Sequence, residues 1–124
     1  MADLDRWPEF APERQREMFH PHWWTFDCLY DARRAAARYL RTEGERLGGV
    51  QGTELHAIAA LYEGLVEELG RSFRAKDVFL GPWTGRAYKD WTDAVRADER
   101  LMMARVMAVD GEAAAKMASL LTRL

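Results

Sequence analysis

The stretch from Thr53 to Phe73 constrains the chain most. Leu55, Ile58, Ala59, Tyr62, Leu65, Val66, Leu69 and Phe73 recur at steps of three and four, and His56, Ala60, Glu63, Gly64, Glu67, Glu68 and Arg71 fill the other side. A half-buried strand alternates at steps of two, so this spacing belongs to an amphipathic helix whose apolar stripe other segments must cover. Thr53 is placed to cap its first turn, where backbone N–H groups lack intrahelical acceptors.

Residues 23–47 read as an earlier long helix. Asp27, Asp31, Arg34, Arg38, Arg41 and Glu45 form a polar stripe; Phe26, Leu29, Tyr30, Ala36, Ala37 and Leu40 form the main apolar face. Cys28, Ala32, Ala35 and Tyr39 form a second face of mostly small residues. A helix apolar on two faces is expected between two neighbours, with Cys28 an inert buried thiol. Gly44, Gly48 and Gly49 end this helix, and the short joint from Gly48 to Gly52 predicts antiparallel neighbours.

Residues 86–124 hold the last helix. Tyr88, Trp91, Val95, Met102, Val106, Val109, Ala113, Met117, Leu120 and Leu124 keep one stripe in phase. That phase favours one continuous helix over a break at Asp110-Gly111-Glu112, with Gly111 tolerated at about 1 kcal/mol. Residues 74–85 between the last two helices are a loop by their Gly-Pro and Gly signals. Val78, Phe79, Leu80 and Trp83 make it apolar, as befits a lid over one end of the bundle or the wall of a ligand pocket. Residues 1–22 read as an arm punctuated by Pro8, Pro12 and Pro21, with a short helix from Glu13 to Phe19 and with Trp7, Phe10, Met18 and Phe19 as anchors.

Two charges break the apolar stripes. Arg33 interrupts the main face of the first helix, and Asp98 falls between Val95 and Met102 on the last. A lone buried charge is costly and a hydrogen-bonded pair tolerable, so Arg33 and Asp98 are predicted to pair or to meet at one polar site. Met103 and Met107 extend the outward stripe of Lys89, Asp93, Arg96 and Arg100, which suggests a self-association surface.

Composition narrows the partners. With 124 residues, 48% hydrophobic and 31% charged, the chain suits one soluble globular domain. A net charge of −2 provides no basic excess to neutralise phosphates, so nucleic acid is not the expected partner. Arginine outnumbers lysine 15 to 3 and alanine is abundant, which fits a GC-rich bacterial genome. One cysteine excludes an intramolecular disulfide and fits the cytoplasm. The polar N-terminus is no signal peptide, and no apolar run is long enough to cross a bilayer.

Specific chemistry is sparse. His20-Pro21-His22 is the nearest to a metal motif, because Pro21 favours extended backbone at His20 and Glu17 stands three residues earlier. Zinc sites take three or four protein ligands, and no second Glu-x-x-His, Cys-x-x-Cys or His-Glu-x-x-His accompanies the pair. No metal and no cofactor is therefore assigned. Glu54 and His56 do not share a helical face, Glu63, Glu67 and Glu68 read as a solvated face, and Gly81 to Gly85 lack the spacing and lysine of a phosphate loop.

Arg33-Arg-Ala-Ala-Ala-Arg-Tyr-Leu-Arg41, Leu55-His-Ala-Ile-Ala-Ala-Leu-Tyr-Glu63 and Val109-Asp-Gly-Glu-Ala-Ala-Ala-Lys-Met117 resemble the helical C-terminal region of bacterial butirosin-biosynthesis-H-like proteins and their papain-like relatives. In those proteins the cysteine-dependent chemistry sits in a separate N-terminal lobe, for which this chain has no room. The resemblance implies an all-helical accessory domain and carries over no catalytic residue.

The sequence thus predicts an all-α fold: a compact bundle of three long helices over 23–47, 53–73 and 86–123, with an arm over 1–22. The expected role is a non-enzymatic domain, homo-oligomeric, that binds a small anionic or aromatic ligand or another protein. The expected site is Arg33 and Asp98 surrounded by Tyr30, Trp91, Phe79 and Trp83. The alternative is a small enzyme in which Asp98 serves as acid/base with His22 or His56 assisting.

Overall fold

Two glycines make the turn that sets the architecture. Gly48 (φ 64°) and Gly49 (φ 58°) both lie in the left-handed region, which costs a residue with a Cβ about 1–2 kcal/mol. Gly48 donates its N–H to the Gly44 carbonyl at 3.0 Å and stops one helix; the next starts at Gly49. The computed structural model describes residues 2–72 and 90–123, except the side chains of Ala2, Asp3, His20 and Trp23. In chain order its elements are α1 (Ala2–Arg6), a 3-10 turn (Trp7–Glu9), α2 (Pro12–Leu47), α3 (Gly49–Gly70) and α4 (Asp93–Leu121). No strand occurs among the described residues.

The three long helices form a compact all-α bundle with α3 between α2 and α4. Late residues of α3 (Leu65, Leu69) pack with Phe26 of α2 and with Met102 and Val106 of α4. Early ones (Leu55, Ile58, Ala59) pack with Leu40 of α2 and with Ala113 and Leu120 of α4. Both neighbours therefore run antiparallel to α3, as the short glycine joint predicts for α2. The approach of α2 to α3 depends on glycine: a Cβ on Gly52 would fall inside van der Waals contact of the Gly44 carbonyl, and one on Gly44 would meet the His56 ring.

The boundaries differ from the expectation in three places. Residues 12–22 are not part of an arm. They are the first turns of α2, which starts with Pro12 in its first turn and continues through Pro21. Pro21 removes only its own bond to the carbonyl four residues back, a local cost of about 3 kcal/mol. The docking of Met18 and Phe19 against the buried cluster of Leu4, Trp7 and Trp91 offsets that loss. Trp7 is the buried anchor of the N-terminal segment, whereas Phe10 is half-buried under the Arg6 guanidinium, 5.6 Å from its centroid.

At α3, Thr53 is not the cap. The helix has already begun at Gly49, and the Thr53 hydroxyl donates back to the Gly49 carbonyl at 2.9 Å. At α4, the helix begins at Asp93, not at residue 86. Thr92 is its N-cap, with the hydroxyl accepting from the Val95 N–H at 3.3 Å. From there α4 runs unbroken through Gly111, as the in-phase stripe indicates. The apolar loop over 74–85 lies outside the described residues.

Candidate functional site

Arg33 is the inward charge of α2, and its partner is on α4. Its Nε donates to Asp110 Oδ1 at 2.5 Å and a terminal nitrogen donates to Oδ2 at 2.8 Å, a two-point clamp. The guanidinium also lies 5.7 Å from the Tyr62 ring centroid, so all three long helices meet at this point. The hydrogen bonds that Arg33 donates to Asp110 raise the Arg33 pKa above its ordinary value against the opposing effect of burial. The side chains of Arg33 and Asp110 retain 30% and 31% of their exposure, so water reaches the pair from one side.

Asp98 does not take part. It is exposed, and the acidic residue on the seam of α4 is its neighbour Glu99, 3% exposed. The inward positions of α4 are Val95, Glu99, Met102, Val106, Val109, Ala113, Met117 and Leu120. These steps of three and four put Glu99 in the interface and rotate Asp98 about 100° away from it. Asp110 is itself four residues after Val106 and three before Ala113, so its inward position is legible once it is counted along the stripe instead of as part of a helix break.

Of the other expected site residues, Trp91 lies in a different cluster from Arg33. Tyr30 is half-buried beside the Phe26–Leu69 cluster, with the Arg34 guanidinium 5.8 Å from its ring centroid. Trp91 precedes α4 and is buried against the N-terminal segment, edge-on to Trp7 (6.0 Å between centroids) and to Phe19 (5.6 Å). Phe79 and Trp83 lie outside the described residues. Tyr30 thus borders the same cluster as Tyr62, the ring that Arg33 meets, whereas Trp91 belongs to the N-terminal one.

His22 and His56 have structural surroundings. His22 packs edge-on to Trp7 at 5.2 Å, and Glu17 pairs with Arg14 at 3.4 Å. The Nε2 of His56 lies 3.2 Å from the Arg41 carbonyl, which only accepts, so this bond places the proton on Nε2. Among the described residues no group of three or more His, Cys, Asp or Glu side chains is placed to hold a metal ion.

Beside His56, Arg41 clamps Glu63 through two bonds of 2.8 and 2.6 Å, and this hydrogen bonding holds the Glu63 carboxyl below its ordinary pKa. The pair borders an open groove of about 480 Å³ that Arg34, Arg38, Val66 and Glu67 also line. Glu68 is likewise held below its ordinary pKa by its hydrogen bond from Arg105.

The surface departs most from expectation on the outer side of α2. Cys28, Ala32, Ala35 and Tyr39 are exposed, with Tyr39 at 65%, and Trp24 continues the row at 60%. Among the described residues α3 and α4 cover the other side of α2, and the N-terminal segment meets only its first turns. The second apolar face is therefore uncovered among the described residues, and Cys28 is an exposed thiol instead of a buried one. On α4, Met107 is exposed but Met103 is half-buried against the core, so the two methionines do not share an outward stripe.

Comparison with protein-family models, with curated proteins and with solved structures finds no match to this chain. Among the described residues no helix is long and apolar enough to cross a membrane.

Proposed function

We propose that this chain is a non-enzymatic helical interaction domain that self-associates. The observation that carries this reading is the outer row of α2, where Trp24, Cys28, Ala32, Ala35 and Tyr39 follow one another at steps of three and four without cover among the described residues. Small residues at such spacing let two helices approach closely, and the aromatic ends supply apolar area. An exposed continuous apolar row of this kind marks an interaction surface more often than scattered single residues do.

A small-ligand reading has a narrower basis. Arg33 commits the edge formed by its Nε and one terminal nitrogen to Asp110, whose carboxylate balances its charge, so it is a weak anchor for a further anion. A small anion is better matched to the groove bordered by Arg34, Arg38 and Arg41, where Arg38 pairs with no carboxylate among the described residues. An enzymatic reading through Asp98 lacks the desolvation that tunes a carboxylate for acid/base work, because Asp98 is exposed. The resemblance noted above agrees with an accessory, non-catalytic role. We place the domain in a bacterial cytoplasm, where a lone exposed thiol stays reduced.

Sedimentation velocity over a concentration series tests self-association. A mass rising towards twice the 14.3 kDa of one chain is expected. A mass of one chain at the highest soluble concentration overturns the reading.

A further inference from the structure

Resting on the self-association reading, we infer that the partner on the outer face of α2 is a second copy of the same helix, packed antiparallel about a two-fold axis between Ala32 and Ala35. The charges along this face are divided by sign. Asp27 and Asp31 lie in the half before the small residues, and Arg34 and Arg38 in the half after them, all on one flank of the apolar row. In an antiparallel two-fold pair each flank faces its own copy, so the acidic half of one helix meets the basic half of the other. In a parallel two-fold pair this flank would face the opposite flank of the second copy, where Thr25, Leu29 and Ala36 lie, and the four charges would gain no partner.

The register follows from a rise of about 1.5 Å per residue. With the axis between Ala32 and Ala35, these two alanines face each other's copies and Cys28 lies level with Tyr39 of the second copy. Arg38 of the second copy falls between the levels of Asp27 and Asp31, about 3 Å along the axis from each, and its Arg34 falls beside Asp31. The in-chain partners leave these charges available. Among the described residues neither Asp27 nor Arg38 has an ion-pair partner. Asp31 and Arg34 share one contact of 3.5 Å between largely exposed side chains, the weakest kind of surface pair. Asp27 titrates above its ordinary pKa, first through desolvation and then through the Asp31 charge, and no cation among the described residues compensates it. A second copy supplies both the apolar cover and the missing cations. A seam of this length is short for a protein interface, so a concentration-dependent dimer is expected.

Disulfide trapping distinguishes the arrangement. In the antiparallel pair the two Cys28 residues are separated by about 16 Å along the axis, too far for a disulfide, whereas position 39 faces Cys28. Mild oxidation should leave the native chain non-covalent and should convert Tyr39→Cys into a disulfide-linked dimer. Tyr39→Cys combined with Cys28→Ser should not cross-link. Charge reversal gives an independent reading: Asp27→Lys with Asp31→Lys, and Arg34→Glu with Arg38→Glu, should each weaken the dimer by at least about tenfold, and an equimolar mixture of the two variants should form a heterodimer. A native chain that cross-links through Cys28 overturns the antiparallel register. A dimer that neither cross-links in Tyr39→Cys nor responds to the charge reversals overturns this face while leaving self-association standing. A monomer at all concentrations overturns both.

Discussion

Removing either side of the Arg33–Asp110 clamp should destabilise the fold, and removing both should cost less than the sum. Each charge-assisted hydrogen bond contributes about 1.5–3 kcal/mol when shielded from water. The pair keeps nearly a third of its exposure, so an abandoned charge is partly rehydrated and the lower end of that range applies to the clamp as a whole. Arg33→Met also loses the contact with the Tyr62 ring, worth about 0.5–1 kcal/mol. We expect about 2 kcal/mol for Arg33→Met, about 1.5–2 for Asp110→Ala, and a coupling of about 1–1.5 between them, so that the double variant loses about 2.5. For a chain of this size 1 kcal/mol moves Tm by roughly 4 °C, giving drops of about 6–8 °C in the single variants. Urea unfolding with all four proteins at one concentration measures the cycle, since self-association shifts apparent stability by mass action. A coupling below about 0.3 kcal/mol would refute the clamp as a stabilising interaction.

Further consequences are open to test. Asp98→Ala should change stability by less than about 0.5 kcal/mol, because the residue lies on the solvent side of α4; a larger loss would mean that the helix is rotated from its assigned register. Gly52→Ala should lose about 1–3 kcal/mol in urea, since the new methyl group meets a backbone carbonyl that cannot swing away, while Gly64→Ala, open on all sides, should be neutral or stabilising. Pro21→Ala should restore a bond to the Glu17 carbonyl and raise amide exchange protection over the first half of α2; unchanged protection there would show that the segment is held by its aromatic anchors alone. Glu63 and Glu68 have folded pKa values below the ordinary 4.5, so their stabilising contribution is complete above that value and is lost as pH falls through the depressed folded values. Asp27, raised above its ordinary 3.8, acts with the opposite sign, its penalty disappearing on protonation. Two carboxylates against one predict a net loss on acidification between about pH 5 and 3, and Arg41→Met should flatten that slope; identical slopes would contradict the assignment to Arg41.

The sequence by itself determined the all-α class, the antiparallel turn at the glycines and the main apolar stripe of each long helix. Apolar periodicity and left-handed glycines are local properties, and local geometry converts them directly into structure. It also determined that Arg33 needs an acidic partner on the last helix, because an inward charge without one is too costly. Which acid answers it was decided by tertiary structure. Asp98 and Glu99 differ by one position, and only the contact of α4 with α3 fixes the rotation that exposes one and buries the other. The same holds for Pro21, where a local rule against proline in helices gave way to the burial of Trp7, Phe19 and Trp91. The second apolar face of α2 was readable from Cys28, Ala32, Ala35 and Tyr39. That nothing among the described residues covers it depends on where α3 and α4 lie, because a helix's own pattern specifies a need for cover but not what meets it.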